Sequence, residues 1–139
     1  MSKIYNSLGT MSGTSFDGID ISNEMIEIAR EKRIYRNLEC FNPDKGIPVK
    51  KNEYYIITAI GVISVGAAPI SIFDEVFDLL PKDGLFAFSF NEHSLMVPEY
   101  SLKVEQTVNA KKAVQLFCEL GPHILKRDLK SMVYIIKKL

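Results

Sequence analysis

The stretch at residues 18–30, GIDISNEMIEIAR, joins a short extended run to an amphipathic helix. Ser22 lies at the junction, where its hydroxyl can accept a hydrogen bond from a free amide of the first helical turn. Apolar residues then recur at helical spacing from Met25 to Ala29, with charged residues between them. The stretch therefore predicts a strand that leads directly into a helix packed on a sheet.

The rest of the chain continues this alternation of strands and helices. An almost unbroken apolar run at residues 54–63 predicts a strand covered on both faces, as occurs in parallel sheets. A helix is predicted between Pro69 and Pro81, followed by a buried strand at 85–90. A further helix is predicted at 109–120 and a last strand at 132–136. We therefore expect a three-layer α/β fold with a mostly parallel sheet.

Composition limits the classes of function. The 139 residues are 47% hydrophobic, which suits a single domain over residues 1–139. Seventeen basic and 17 acidic residues cancel, so we expect neither nucleic acid nor a membrane as partner. Cys40 and Cys118 form no metal-binding pattern, and we expect no metal. Two isolated thiols and the lack of a signal-like N-terminus indicate a cytoplasmic protein.

Several stretches resemble class I S-adenosylmethionine-dependent methyltransferases. Residues 18–30 resemble their second strand and helix, and residues 83–90 (DGLFAFSF) resemble their fifth strand. Residues 56–64 occupy the place of the fourth strand, and residues 131–134 (SMVY) resemble the final one. The resemblance covers about residues 18–139. It implies a Rossmann-like sheet with an antiparallel last strand, S-adenosylmethionine as cofactor and a small molecule as methyl acceptor.

The resemblance also implies a cofactor site at the carboxyl ends of the strands, where open α/β sheets bind ligands. Asp20, followed by Ile21, would accept both hydroxyls of the ribose. Phe41 and Asn42 would lie beside the adenine, and Gly61 would line the methyl-donor pocket. The alternatives are that Asp20 only caps its strand, that Asn42 is a turn residue, and that Gly61 belongs to the core.

One histidine is a candidate base. His93 follows the predicted fifth strand, where it could face a methyl acceptor, and an imidazole can take up a proton near neutral pH. A histidine without a chemical role on an exposed loop is the alternative interpretation.

The first motif of the methyltransferases, a strand, a glycine-rich turn and a full helix, is replaced here. Only about ten residues separate Leu8 from Ile19, whereas a parallel crossover needs a dozen or more. We therefore expect an antiparallel strand-turn-strand in place of the first βαβ unit. Relative to the family the domain is expected to be truncated and its activity impaired.

The replacing segment resembles another family. Residues 8–20, LGTMSGTSFDGID, are similar to the opening hairpin of anhydro-N-acetylmuramic acid kinases, over residues 1–22. This resemblance implies that the turn with Gly9 and Gly13 approaches phosphates, a role that free backbone amides suit. Because the two resemblances meet at residues 18–21, we hypothesise a gene junction there, which an uninterrupted upstream methyltransferase frame at the locus would refute.

Three functions therefore remain open. The first is methyl transfer to a small molecule, with the cofactor held by Asp20 and Asn42. The second is a non-catalytic association module whose exposed sheet edge is completed by another chain, as in a homodimer. The third is binding of phosphate or ATP by the N-terminal glycine-rich hairpin.

Overall fold

The computed structural model describes residues 3–8, 15–124 and 128–139. In these residues seven strands form one sheet: β1 (Lys3–Leu8), β2 (Ser15–Asp20), β3 (Tyr35–Cys40), β4 (Ile56–Ala59), β5 (Leu85–Asn91), β6 (Ala113–Ile124) and β7 (Leu129–Lys138). The helices are α1 (Asn23–Glu31), α2 (Ser71–Leu79), α3 (Glu92–Leu95) and α4 (Pro98–Asn109).

The strands are ordered β3-β2-β1-β4-β5-β7-β6 across the sheet. β2 is parallel to β3, and β4 is parallel to β5. β7 is antiparallel to both β5 and β6, and β1 is antiparallel to both β2 and β4. Five of the seven described strands run in one direction, but β1 and β7 are reversed, so two of the six strand pairs are parallel and four are antiparallel and the sheet is mixed. The predicted α/β fold is confirmed, including its antiparallel last strand and the N-terminal antiparallel pair.

Helices cover the two faces of the sheet unequally. α1 packs on β2 and β3, where its Ile26 and Ala29 are buried. α2 and α4 lie on the other face and bury Phe73 and Tyr100 in the main core. That core contains Ile19 of β2 but neither of the α1 residues, which places α1 on the opposite side. The predicted three layers are therefore present.

Aromatic side chains of β5 are at the centre of the main core. Phe86, Phe88 and Phe90 alternate along the strand and are fully buried. Phe73 of α2 meets Phe88 edge-on at 5.3 Å between ring centroids, and Tyr134 of β7 stacks on Phe88 at 5.1 Å. Edge-on and stacked contacts of this kind stabilise a core beyond the area that they bury. The DGLFAFSF stretch thus forms the buried strand that the sequence predicted.

The helix predicted at residues 109–120 is wrong. α4 begins earlier, at Pro98, and ends at Asn109, and Lys111 then adopts a positive φ of 55° that reverses the chain. Residues 113–124 form β6 instead, as an antiparallel partner of β7. Proline suits the first turn of a helix, while Val114 and Phe117 favour a strand. Pairing with β7 therefore decided a segment whose apolar pattern was ambiguous.

The strand predicted at residues 54–63 is shorter in the structure. β4 covers only Ile56–Ala59, because Gly61 has a φ of 68° that turns the chain out of the sheet. No helix in the described residues is long and apolar enough to cross a membrane.

Candidate functional site

Asp20 is the last residue of β2, at the edge where β3, β4 and β5 also end. Its Oδ1 accepts a hydrogen bond from the Ser22 amide at 2.8 Å. Ser22 in turn caps α1, as predicted, by accepting the Met25 amide at 3.3 Å. The second carboxylate oxygen of Asp20, Oδ2, is buried and has no hydrogen-bond partner in the described residues. Asp20 is thus held at the strand end with one oxygen unsatisfied.

The nucleoside-sized hollow expected beside Asp20 is not formed by the described residues. Asp20 is only 3% exposed, because α1 begins at once after β2 and packs over Gly18 and Leu38. The hollow that these residues enclose has a volume of ≈ 10 Å³. A cavity of this size holds about one water molecule. A ribose could reach the carboxylate only if the start of α1 moved away from β2.

Ile21, Phe41 and Asn42 lie close to Asp20, as predicted. The Phe41 amide donates to the Asp20 carbonyl at 3.0 Å, which fixes the two strand ends together. Phe41 packs against the core, and Ile21 is 43% exposed. The side-chain carbonyl of Asn42 accepts the Asp44 amide at 2.9 Å and caps a short 3-10 turn, Pro43–Lys45. In this conformation, Asn42 acts as a turn residue.

Gly61 follows β4 at the same edge of the sheet. Its amide donates to the hydroxyl of the buried Ser89 at 2.9 Å, which ties the β4 turn to β5. β1 lies between β2 and β4, so Gly61 is separated from Asp20 by two strand spacings, roughly 10 Å. His93 is exposed on α3, directly after β5. Both are at the predicted edge but apart from Asp20.

Gly9 and Gly13 lie outside the described residues. The residues that flank their segment, Leu8 and Ser15, pair with each other, while Lys3 at the other end of β1 pairs with Asp20. Leu8 and Ser15 are therefore at the edge opposite to Asp20, roughly 17 Å away along a six-residue strand. A parallel first strand would instead bring its carboxyl end next to Asp20.

A second carboxylate of β2, that of Asp17, was not among the predicted site residues. It is 5% exposed and accepts hydrogen bonds from the Arg36 guanidinium, the Asn37 amide and the Tyr54 hydroxyl. The Arg36 Nε and Asn37 Nδ2 distances are both 3.0 Å. This cluster joins β2, β3 and the segment before β4. It satisfies its buried charge completely, so it is built to stabilise rather than to react.

A β-bulge brings the cluster together. Phe16 pairs with Tyr35 and Asp17 pairs with Asn37, so Arg36 is an extra residue without a partner in β2. Side chains alternate between the faces of a regular strand, and an inserted residue breaks that alternation. Arg36 and Asn37 can therefore both reach Asp17. Nothing in the sequence around Arg36 indicates a bulge, which is why the cluster was missed.

The hydrogen bonds of the cluster change how its members titrate. Burial by itself raises the pKa of Asp17, but the bonds from Arg36, Tyr54 and Asn37 outweigh burial and hold that pKa below its usual value of 3.8. Burial and the neighbouring Asp17 carboxylate raise the pKa of Tyr54 to about 12. Asp17 is therefore ionised and Tyr54 neutral over the physiological range.

An open groove lies beside this cluster. It has a volume of ≈ 430 Å³ and is lined by Asn37, Glu39, Val49 and Tyr54, among others. Its size falls in the range of small-molecule sites, but Asp17 and Asp20 point to opposite faces of β2, so the Asp20 carboxylate does not face it. No group of acidic, histidine or cysteine side chains in the described ranges could hold a metal ion.

Solved structures share this fold. A methyltransferase from Methanosarcina mazei is 12% identical, with a TM-score of 0.60 over 90% of this chain and 82% of that one. The M. jannaschii tRNA m1G37 methyltransferase is 13% identical, with a TM-score of 0.57 over 88% of this chain and 37% of that one. The (4+2) cyclase SpnF is 13% identical, with a TM-score of 0.60 over 88% and 65%. The chain has the fold of class I S-adenosylmethionine-dependent methyltransferases.

No protein-family model and no curated protein matches the sequence. Identities this low show the fold alone, and a fold hosts more than one chemistry. Among the structures above, one is described as acting on tRNA and another as a cyclase. Function therefore has to be argued from the residues at the strand ends.

Proposed function

We propose that the chain binds S-adenosylmethionine through the ribose at Asp20, and that it transfers the methyl group to a small molecule with impaired activity. The cofactor would supply an activated methyl group. The protein would hold the nucleoside between the ends of β2 and β3, with Asp20 on the ribose and with Phe41 and Asn42 beside the adenine. His93 would face the acceptor across the end of β5.

The unsatisfied Oδ2 of Asp20 is the observation that carries this proposal. Leaving a buried acceptor without a donor costs about 1–3 kcal/mol, so such atoms are rare unless a ligand or water supplies the donor. A ribose hydroxyl is a donor of the right kind. Oδ1 of Asp20 already accepts a hydrogen bond from the Ser22 amide. The carboxylate therefore has one oxygen free for a ribose hydroxyl.

The methionine part of the cofactor has no comparable support. A helix N-terminus offers free amides and a positive dipole end to a carboxylate. Here β1 is antiparallel to β2, and only residues 9–14 separate the two strands, fewer than a crossover with a helix needs. We therefore expect the nucleoside to bind while the methyl group is poorly positioned for attack, and poor positioning would impair methyl transfer.

Calorimetry with S-adenosylhomocysteine tests this directly. We expect Asp20→Ala to weaken binding roughly 10- to 100-fold, because a hydrogen bond to a charged group contributes about 1.5–3 kcal/mol. Asp20→Asn keeps an acceptor for the Ser22 amide and should weaken binding without disturbing the start of α1. Asp44→Ala removes an exposed carboxylate near Asn42 and should have no effect.

A comparison of two ligands tests whether the methionine part of the cofactor contributes little to binding. We expect 5′-methylthioadenosine, which lacks the amino-acid part, to bind as tightly as S-adenosylhomocysteine. Unchanged affinity in both Asp20 variants would contradict the proposal, and so would binding of ATP alone.

The acceptor is proposed as a small molecule because the chain carries no net charge, whereas nucleic-acid binding depends on clustered basic residues. Two of the similar structures are tRNA methyltransferases, which makes RNA the alternative. Methylation of bulk tRNA by the purified protein, with no activity on small thiols, amines or phenols, would favour that alternative.

A further inference from the structure

The connection from β4 to α2 carries no charge. Residues 60–70, IGVISVGAAPI, contain no acidic or basic side chain and a single hydroxyl, that of Ser64. Part of this segment is nevertheless at the surface, since Val65 is 51% exposed and Ala67 and Pro69 are also exposed. Exposed runs of apolar residues are unusual on a protein surface unless they take part in binding. The uncharged segment is therefore a candidate binding surface.

The segment begins at the edge of the sheet where the proposed cofactor site lies. β4 ends at Ala59 and is parallel to β5, and α3 follows directly after β5. The Val65 amide donates to the hydroxyl of the buried Ser94 in α3 at 3.0 Å. Met96, two residues after Ser94, is 82% exposed. Residues 60–70 and Met96 thus form one apolar surface beside the ends of β4 and β5.

Hydrogen bonds hold the apolar surface in place. The Ser94 hydroxyl, which accepts the Val65 amide, itself donates to Oδ1 of Asn91 at 2.9 Å. Within the loop, the Ser64 amide donates to the Ala68 carbonyl at 3.1 Å. A surface that is already ordered loses little conformational entropy when a ligand binds.

Few ionisable side chains belong to the segments that form this surface. Residues 60–70 have none, and residues 91–98 have two, Glu92 and His93. Oε2 of Glu92 accepts the Lys130 amide at 3.2 Å, which ties this carboxylate to β7. A charged ligand would lose its water shell here without gaining an opposite charge, and that loss is costly. The apolar surface therefore suits a neutral ligand.

We propose that the apolar surface binds the methyl acceptor, and that the acceptor is a neutral, mainly apolar molecule with one nucleophilic hydroxyl, such as a phenol. Open α/β sheets bind ligands at this edge, and small-molecule sites are mostly apolar with a few polar groups. His93 is exposed on α3 and would take up the proton of the hydroxyl. The role as acceptor rests on the proposed methyl transfer, whereas binding of the apolar molecule does not.

Nuclear magnetic resonance with 2-naphthol as the probe tests the binding at pH 7. We expect the methyl signals of Val65 and Met96 to shift, with a dissociation constant of about 1 mM, because so small a ligand gains little affinity. 2-Naphthoate has the same rings but carries a carboxylate. It should bind about 10-fold more weakly, since its charge finds no partner on this surface.

Met96→Lys should reverse the preference between the two probes. The added ammonium lies in the contact, so 2-naphthol should bind about 10-fold more weakly and 2-naphthoate more tightly than to the wild type. Val65→Lys should act in the same way. Ile34→Lys is the matched control, because Ile34 is 54% exposed and precedes β3 at the opposite edge of the sheet. It should leave both affinities unchanged.

Three results would overturn the proposal. The first is no shift of either methyl signal up to the solubility limit of 2-naphthol, and the second is equal affinity of the wild type for the two probes. The third is methyl signals that shift with protein concentration alone, because a second chain would then cover the surface. Asp20→Ala should bind 2-naphthol as the wild type does, so a failure of cofactor binding and a failure of this proposal are distinguishable.

Discussion

Two carboxylates of β2 show how differently the fold treats the same side chain. Asp17 and Asp20 are three residues apart and therefore point to opposite faces of the strand. Asp17 is surrounded by three donating side chains, from Arg36, Asn37 and Tyr54. Asp20 meets one backbone amide and keeps a buried oxygen free. The first arrangement stabilises the fold, and the second leaves one buried acceptor without a donor in the described part of the chain.

Tyr54→Phe tests the stabilising role of the Asp17 cluster. Loss of the hydroxyl should lower the free energy of unfolding at pH 7 by about 1.5–3 kcal/mol, because the lost hydrogen bond is to a charged group. The lowered pKa of Asp17 makes its stabilisation fully present above 3.8 and lost as the pH falls through the folded value. Without Tyr54 that loss should begin at a higher pH, which urea unfolding between pH 2 and pH 7 would measure.

Tyr55→Phe is the matched control for this change. Tyr55 is the next residue along the chain and is 60% exposed, so its substitution should change the stability by less than about 0.5 kcal/mol. Equal effects of the two substitutions would show that the Tyr54 hydroxyl does not stabilise the cluster.

At the residue scale, the sequence predicted local contacts and missed distant ones. The cap of α1 by Ser22 was predicted because donor and acceptor are three residues apart. The contact between Asp17 and Tyr54 joins residues 37 positions apart and depends on the bulge at Arg36. No local pattern encodes such a contact.

At the level of elements, β7 completes the end of α2. The last turn of α2 contains no basic residue, although a positive charge there is favourable. Lys138 of β7 supplies it: its Nζ donates to the carbonyls of Phe77 at 2.9 Å and Leu80 at 2.7 Å. The same ammonium lies 5.2 Å from the Phe77 ring centroid. One side chain therefore ties the last strand to the helix layer.

Lys138→Met should lower the free energy of unfolding by about 2 kcal/mol, since a partly buried cation at a helix C-terminus contributes that much. Lys137→Met is the comparison, because Lys137 forms a surface ion pair with Asp83 at 3.4 Å. This substitution should lower the free energy of unfolding by about 0.5 kcal/mol. Thermal unfolding of both variants measures the difference. Similar melting temperatures for the two would contradict the assigned role of Lys138.

Elements with a clear hydrophobic period were predicted correctly, whereas the segment at residues 109–120, whose apolar pattern is ambiguous, was not. α1 and β5 were predicted from their spacing and from turn residues, and both are confirmed. Residues 109–120 have apolar residues that suit a helix or a strand equally. The state of residues 113–120 was decided by the edge of β7, with which all of them except Leu116 pair.

At the scale of the whole molecule, the direction of β1 distinguishes this sheet. β1 occupies the central position between β2 and β4 but is antiparallel to both. A short hairpin connection reaches that position only in reverse, because a parallel strand would need a longer crossover. The reversal places Leu8 and Ser15 at the edge opposite to Asp20.

Nuclear magnetic resonance can check the direction of β1 without any substitution. We expect cross-strand nuclear Overhauser effects between Lys3 and Asp20 and between Leu8 and Ser15. Effects between Leu8 and Asp20 would indicate a parallel β1 and would contradict this fold. The Gly18–Leu38 pair of the parallel strands β2 and β3 is the internal control.

By itself, the sequence determined the α/β class, the cap of α1, the buried strand β5 and the antiparallel N-terminal pair. Each of these follows from spacing, capping chemistry or the length of a connection, which act over a few residues. Only the tertiary structure decided that residues 113–124 form a strand, that Arg36 bulges toward Asp17, and that α1 closes over Asp20. These outcomes depend on which distant segments compete for the same backbone groups and the same buried space, and that competition is settled only when the whole sheet assembles.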